Sequence, residues 1–307
     1  MMGKLLYEGY SSGKYDFAVR EKFAQANVYA KNSQSILSKA TGFINVYDFT
    51  LNPYRGCQYG CSYCYAAAFS PNSKMRDDWG KWVIIKANAA ELLEKELVKW
   101  YQKNSHSPSI YMSSVTDPYQ PIEAKEKLTR QLLEIMIIYK PQLVIQTRSP
   151  MIARDIDLLQ RIKHLRINMS IPTGSERVRK DFEPMSPSIK ARLHAVKKIK
   201  QQIDPWKGYV PKISVTVTPL LPTFPEEQID FINSLAVADR VVIQEFHAQN
   251  QGRSLIASTR QEALTLTKKY AWWYDNEQQS YQQFKQQLHE LLTGVEIKEG
   301  KEGFTYE

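Results

Sequence analysis

The chain has 307 residues, 43% of them hydrophobic and 24% charged, with 41 lysines and arginines against 32 acidic residues and a formal charge of +9. This is a globular composition, long enough for one barrel-sized domain or two smaller ones, and no apolar run approaches the roughly 18 residues of a membrane span. The start Met1-Met2-Gly3-Lys4-Leu5-Leu6-Tyr7-Glu8 lacks a secretory apolar stretch, so the cytoplasm is the expected compartment; the positive excess permits polyanionic partners without specifying one.

Residues 1–42 are polar and dotted with Tyr7, Tyr10, Tyr15, Phe17, Phe23 and Tyr29 without sustained periodicity. They read as an N-terminal extension wrapping over a main domain. After Gly42, the run Phe43-Ile44-Asn45-Val46-Tyr47-Asp48-Phe49-Thr50 alternates and is rich in β-branched and aromatic residues, which predicts a strand.

Directly after it comes Cys57-Gln58-Tyr59-Gly60-Cys61-Ser62-Tyr63-Cys64, which holds all three cysteines of the chain. Gathering them within one loop points to a shared ligand, and their isolation makes a disulfide framework a poor reading. Thiolates select iron–sulfur clusters and zinc. A cubane cluster has four irons that each want a terminal ligand, so three sulfurs leave one iron open to the amino and carboxylate groups of a small molecule. The residues alone also leave open a zinc site of three cysteines and one histidine, although the nearest histidine, His106, is far along the chain, and a cluster of small core cysteines.

With the flanking Leu51-Asn52-Pro53-Tyr54-Arg55-Gly56 and Tyr65-Ala66, this C-x3-C-x2-C run with aromatic Tyr63 before its last cysteine resembles the signature of the radical S-adenosylmethionine (SAM) superfamily. The likeness is greatest to its spore photoproduct lyase-like (DNA repair photolyase-like) branch. The resemblance implies a 4Fe-4S cluster on Cys57, Cys61 and Cys64, SAM as cosubstrate, a flavodoxin- or ferredoxin-type reductant, and a 5′-deoxyadenosyl radical that abstracts hydrogen from a substrate. Nucleic acid is among the candidate substrates.

Beyond the cysteines, strands and helices alternate. Trp82–Lys86 reads as a short extra strand or the rim of the first crossover, and Asn88 as the cap of a following helix. Ile110–Val115 is a strand before a helix over Lys125–Tyr139; Leu143–Gln146 precedes a helix from about Ile152 to Ile162; Ile167–Ile171 precedes helices between Glu176 and Gln202. Ile213–Val217 precedes a helix from Pro225 to Leu235, and Arg240–Phe246 precedes a long helix over about Glu262–Leu292. Counting the strand before the cysteine loop, six strand–helix units predict βαβ crossovers, a parallel sheet and an α/β class. The partial (β/α)6 barrel implied by the resemblance agrees. The expected division is an extension (1–42), the barrel (43–255) and a C-terminal helical segment (256–307), in which Val295–Lys298 could add an edge strand.

Ligands of parallel α/β barrels bind at the C-terminal ends of strands. The second unit ends Ser113-Ser114-Val115-Thr116-Asp117-Pro118-Tyr119-Gln120-Pro121, and by resemblance Ser113, Ser114, Thr116 and Asp117 stand where many relatives carry residues for the methionyl amine of SAM. The third unit ends at Arg148, whose planar fork suits the SAM carboxylate. Ser170 ends the fourth and Tyr63 completes the cofactor-facing set. Glu245 and His247 end the sixth, where a histidine could move a proton or serve structure. A helix over Ser188–Ile203 carries Lys190, Arg192, Lys197, Lys198 and Lys200 without an acidic residue, a basic face that can be solvated or can bind nucleic acid. Trp272-Trp273-Tyr274 can stack on bases or pack a helix. Readings from other classes, a zinc-stabilised nucleic-acid-binding module and a non-catalytic iron–sulfur redox sensor, are separated by metal content and by SAM turnover.

Overall fold

The short β-branched runs are buried on both faces, the condition under which strands assemble into a parallel sheet. The computed structural model describes residues 19–206, 208–246 and 260–307. Its strands in chain order are β1 (Glu21–Phe23), β2 (Ala26–Lys31), β3 (Leu37–Lys39), β4 (Phe49–Leu51), β5 (Tyr54–Arg55), β6 (Trp82–Lys86), β7 (Ser109–Met112), β8 (Gln142–Thr147), β9 (Leu165–Ser170), β10 (Lys212–Val217), β11 (Arg240–Ile243) and β12 (Glu296–Glu299). Strands β4, β7, β8, β9, β10 and β11 are neighbours in that order and all parallel. Strand β12 adds a parallel edge beyond β11, and β3 forms the other edge, antiparallel to β4. The six expected strands are thus present in an eight-stranded sheet that curls as a partial barrel and, among the described residues, does not close.

Alternation along each strand divides the sheet into two faces. Ile145, Ile167, Met169, Ile213, Val215, Val241 and Ile243 point outward and share a core with Leu93, Leu97, Leu132, Met136, Val196, Ile199, Phe284 and Leu288 of the flanking helices. The inward face is polar. At the end where the strands begin, Arg166 and Arg240 are 3% and 1% exposed. Both are satisfied by the C-terminal segment: Arg166 Nε donates to the Tyr306 carbonyl at 2.6 Å and Arg240 Nη1 to that of Thr305 at 2.9 Å. Charge-assisted bonds of this kind are what permits guanidinium burial, and they fix residues 300–307 as a plug in that end. One layer higher, Tyr111 Oη donates to Gln146 Oε1 at 2.9 Å and Gln146 Nε2 to Thr216 Oγ1 at 3.0 Å. The next inward positions at the C-terminal ends are Ser113, Arg148 and Ser170.

A second sheet of order β1-β2-β6-β5 lies beside the first. It takes in the Trp82–Lys86 strand and part of the segment read as an extension, with β2 parallel to β6 and β5 antiparallel to it. Strand β5 runs straight into the cysteine loop.

Several local expectations are corrected. Most of 43–50 is not strand: Gly42, at φ +62°, opens a 3-10 turn over Gly42–Ile44 that leaves Phe43 and Val46 in solvent, and pairing begins only at Phe49. The helix over 125–139 is interrupted at Lys127, which takes φ +52°, and the one after β8 is a 3-10 turn, Pro150–Asp155, followed by Ile156–Leu159. The long C-terminal helix is three: Gln261–Lys269, Ala271–Tyr274 and Glu277–Leu291. Asn88 stands at the N-cap position of the helix Ala89–Tyr101 as expected, but its side chain makes no capping bond; its amide instead bridges both backbone groups of Ser33, at 2.8 and 3.0 Å. Tyr7, Tyr10, Tyr15, Phe17 and His247 lie outside the described residues. No described helix is long and apolar enough to cross a membrane.

Candidate functional site

The cysteine loop leaves β5 through Gly56 at φ +83° and turns again at Gly60 at φ +57°, two left-handed positions that glycine adopts without steric cost. The second turn also sets two backbones together: a Cβ on Gly60 would lie 3.1 Å from the Cα of Gly80. Cys57 and Cys61 are 8% and 3% exposed and Cys64 is half-buried. Burial raises all three thiols above their ordinary pKa, Cys61 to about 12, and each pair among them is near enough to interact electrostatically. Donors nevertheless face every sulfur: the Tyr59 N–H at Cys57, the Ala66 and Ala67 N–H groups at Cys64, and at Cys61 the Ser186 hydroxyl 3.8 Å away and Arg148 Nη1 at 3.0 Å. Such donors stabilise sulfur that carries negative charge. Among the described residues, no three His, Cys, Asp or Glu side chains gather for a single metal ion. The fit of a cluster therefore rests on three soft donors, their hydrogen bonds and the backbone that turns them.

The loop after β7 braces the cysteine loop. Ser113 takes φ +72°, and its buried hydroxyl has no hydrogen-bond partner. The Ser114 carbonyl accepts from the Tyr65 hydroxyl. Thr116 Oγ1 donates to the Gly56 carbonyl at 2.6 Å. Asp117, 3% exposed, accepts from Thr147 Oγ1 and from the backbone N–H groups of Tyr119 and Arg148, each at 2.8 Å. Burial raises its carboxyl and these three bonds offset part of that. Asp117 thus ties β7's loop to β8's end, and Thr116 ties it to the first cysteine turn. Gln58 and Gln120, both fully buried, complete the brace, with Gln58 N donating to Gln120 Oε1 at 2.9 Å and Ile122 N to Gln58 Oε1 at 2.7 Å.

Glu183, which sequence reasoning passed over, is the centre of the charged cluster. It follows the helix Glu176–Phe182, is fully buried, and forms ion pairs with Arg148 and with Arg192 of the helix Ile189–Gln202, the latter at 2.6 Å. The Tyr63 hydroxyl donates to it as well. Burial alone would raise this carboxyl, but the two guanidiniums hold it below the usual carboxylate range. Burial would likewise weaken the Arg148 cation, yet the Cys61 sulfur, Glu183 and Tyr63 keep it firmly protonated. The cysteine loop docks on the same corner, since Ser62 donates its N–H and its hydroxyl to the Phe182 carbonyl at 2.9 and 3.1 Å. The only sequence signal for Glu183 was an acidic residue before Pro184, between two helices, nine positions ahead of an arginine.

Of the residues singled out in the sequence, the structure brings Cys61, Tyr63 and Arg148 into direct contact. Ser170 joins through its carbonyl, which accepts from Arg192 Nη1 at 2.9 Å. Ser113, Ser114, Thr116 and Asp117 rim the cysteine loop from the β7 side. The basic face of the helix 189–202 is smaller than expected: Arg192 is fully buried beneath it and Lys200 pairs with Asp239 at 2.7 Å. Trp273 is buried in the core and Trp272 is 44% exposed beside Phe224, with ring centroids 5.2 Å apart.

Residues 51–235 match the radical SAM superfamily. Among curated relatives, an uncharacterized protein of Methanocaldococcus jannaschii is 38% identical over 149 residues, covering 48% of this chain and 54% of that protein. A radical SAM Nalpha-GlyT isomerase of Pseudomonas phage M6 is 28% identical over 197 residues, covering 63% and 38%. This chain thus spans about half the length, or less, of these relatives. Spore photoproduct lyase, solved with bound AdoMet and dinucleoside spore photoproduct, superposes with a TM-score of 0.51 at 16% identity over 71% of this chain and 61% of the lyase, a likeness of fold. The family match spans well over half of the chain and includes the cysteine loop and strands β7 to β10, and on that ground the chain belongs to the radical SAM superfamily.

Proposed function

We propose that the chain is a radical SAM enzyme in which Cys57, Cys61 and Cys64 hold a 4Fe-4S cluster and SAM binds beside it at the C-terminal ends of the parallel strands. The observation that carries this reading is the cysteine loop itself: every cysteine of the chain in one buried turn, each sulfur faced by a donor, at the strand ends of a superfamily member. When bound, the cluster supplies the electron that cleaves SAM to methionine and a 5′-deoxyadenosyl radical.

The protein's part is to bind, orient and exclude water. Arg148 offers a buried cation for the SAM carboxylate, and Tyr63, Ser113, Ser114 and Ser170 are the neighbouring cofactor-facing groups. Ser113, whose buried hydroxyl is unpartnered, has a hydrogen bond to give. Thr116 and Asp117 act one step removed, holding the first cysteine turn and the Arg148 backbone. A flavodoxin- or ferredoxin-type protein is the proposed reductant. Nucleic acid is the substrate class to test first, on the charge of +9 and on the dinucleoside bound by the lyase neighbour. In the domain scheme we propose, 43–255 is the catalytic barrel, 1–42 and 256–307 flank it, and the compartment is the cytoplasm.

The test is anaerobic incubation of reconstituted protein with a strong reductant and SAM. Release of 5′-deoxyadenosine by wild type, lost in each of Cys57→Ala, Cys61→Ala and Cys64→Ala, is expected. Iron-loaded protein that leaves SAM intact would make this a redox sensor, and stoichiometric zinc without iron would overturn the cluster altogether.

A further inference from the structure

Arg148 does more in this structure than wait for a ligand. Its Nη1 lies 3.0 Å from the Cys61 sulfur and 3.0 Å from the Tyr63 hydroxyl, and the same nitrogen meets Glu183. Glu183 cannot move to follow it, because Arg192, fully buried, grips its other oxygen at 2.6 Å while bonding the Ser170 carbonyl at 2.9 Å and the Pro187 carbonyl at 3.0 Å. The order of support runs from a helix-anchored arginine to a buried carboxylate, to a second arginine, to a sulfur of the cysteine loop. We propose that Glu183 is a positioning residue that clamps Arg148 as a hydrogen-bond donor to the Cys61 sulfur, and that this clamp raises the reduction potential of the cluster.

The inference rests on the cluster assignment proposed above and concerns a role distinct from SAM binding. Hydrogen bonds to ligand sulfur and nearby positive charge favour the reduced, more negative state of a cluster, and a charge-assisted donor is about twice as strong as a neutral one. Arg148, Glu183 and Arg192 together leave one net positive charge in a largely buried corner beside Cys61. Glu183 and Arg192 cancel, so the cation that remains is the one held against the sulfur. Arg148 keeps 17% of its side chain exposed, so without its clamp it has a path to water.

The experiment uses reconstituted, reduced protein labelled with nitrogen-15 arginine, without SAM. Iron and sulfide content are measured first, then pulsed EPR for nitrogen-15 coupling to the cluster, then the midpoint potential by dye-mediated titration. Wild type should show the coupling, and Arg148→Lys should lose it. Arg148→Gln should lower the midpoint potential. The double variant Glu183→Met with Arg192→Met removes a cancelling pair of charges and fills the space with apolar groups, a replacement that buried pairs often tolerate. Net charge near the cluster is then unchanged, so a fall in potential toward the Arg148→Gln value, with loss of coupling, reports lost position alone. Should the double variant fail to load iron, Glu183→Asp, which withdraws the carboxylate by one methylene, should weaken the coupling in the same direction. A loaded wild type without coupling, or a loaded Glu183 variant with unchanged coupling and potential, overturns the proposal. A wild type that loads no cluster overturns the parent reading instead, and this proposal with it.

Discussion

Replacing Gly56 with alanine should destabilise the protein through two separable effects. Gly56 stands at φ +83° just before the first cysteine, and a left-handed conformation costs a residue bearing a Cβ about 1–2 kcal/mol. The new methyl would also lie 2.6 and 2.7 Å from two ring carbons of Trp82 and 2.8 Å from its carbonyl oxygen. Trp82 is fully buried and its Nε1 donates to the Met75 carbonyl at 2.6 Å, so the ring cannot withdraw freely. Overpacking of this kind adds about 1–3 kcal/mol. Gly42 supplies the control, since it too is left-handed, at φ +62°, but nothing lies within 4 Å of its absent Cβ. Thermal and urea unfolding of the two variants, followed by circular dichroism, should therefore place Gly56→Ala below Gly42→Ala by about 1–3 kcal/mol, at roughly 2–4 °C of Tm per kcal/mol for a large domain. Equal stabilities would refute the close approach of Trp82 to the cysteine loop.

Arg148→Ala should weaken SAM binding to the loaded protein more than Arg148→Lys, because lysine keeps the cation and loses only the fork; equilibrium binding with unchanged affinity in both would remove Arg148 from the cofactor's partners. Glu183→Gln breaks a buried ion-pair cluster and should cost about 3–5 kcal/mol near pH 7. Because the folded carboxyl titrates below its unfolded value of about 4.3, its contribution is fully present above that value and lost as pH falls through the folded pKa. The stability gap between wild type and variant should accordingly shrink as the pH falls below the unfolded value, and a gap independent of pH would contradict the pairing. Efficient spore photoproduct repair is not expected. As the resemblance implies, the lyase that gives the branch its name uses a further cysteine near the end of its second strand as hydrogen donor, whereas here β7 ends at Met112, Ser113 follows, and all three cysteines sit in the loop; an alcohol O–H is too strong to substitute. Counting thymine formed per 5′-deoxyadenosine from a photoproduct dinucleotide decides it, with multi-turnover repair as the refuting result.

The order of parallel strands was legible because their side chains alternate between a helix-covered face and a polar lumen, and the same period of two places Arg148 two residues beyond Gln146 on the inner face. Helix continuity was not legible. Apolar spacing runs unbroken across Tyr270, where the backbone departs from helix, while the second break, at Asn276, falls in the polar stretch 275–280. Phe43 and Val46 belong to a run rich in β-branched and aromatic residues, as a strand would be, yet both are exposed, since Gly42 had already turned the chain. Within the site, the cysteines declared themselves by spacing, while Glu183 and Arg192 matter only through tertiary contact. Arg192 read as one member of a basic surface, and nothing local distinguishes an arginine that dives under its helix to meet a carboxylate from one that snorkels to water. Asp117 was singled out as a strand-end carboxylate, and the structure shows that carboxylate turned to the backbone of β8's end.

The most direct measurement is the EPR spectrum of anaerobically reconstituted, dithionite-reduced protein with and without SAM, alongside metal content. Three cysteines around a cubane leave one iron for SAM, so about four irons and four sulfides per chain, a reduced-cluster signal, and a change in that signal on adding SAM are predicted. Stoichiometric zinc in place of iron, or a cluster signal that SAM leaves unchanged, would contradict it.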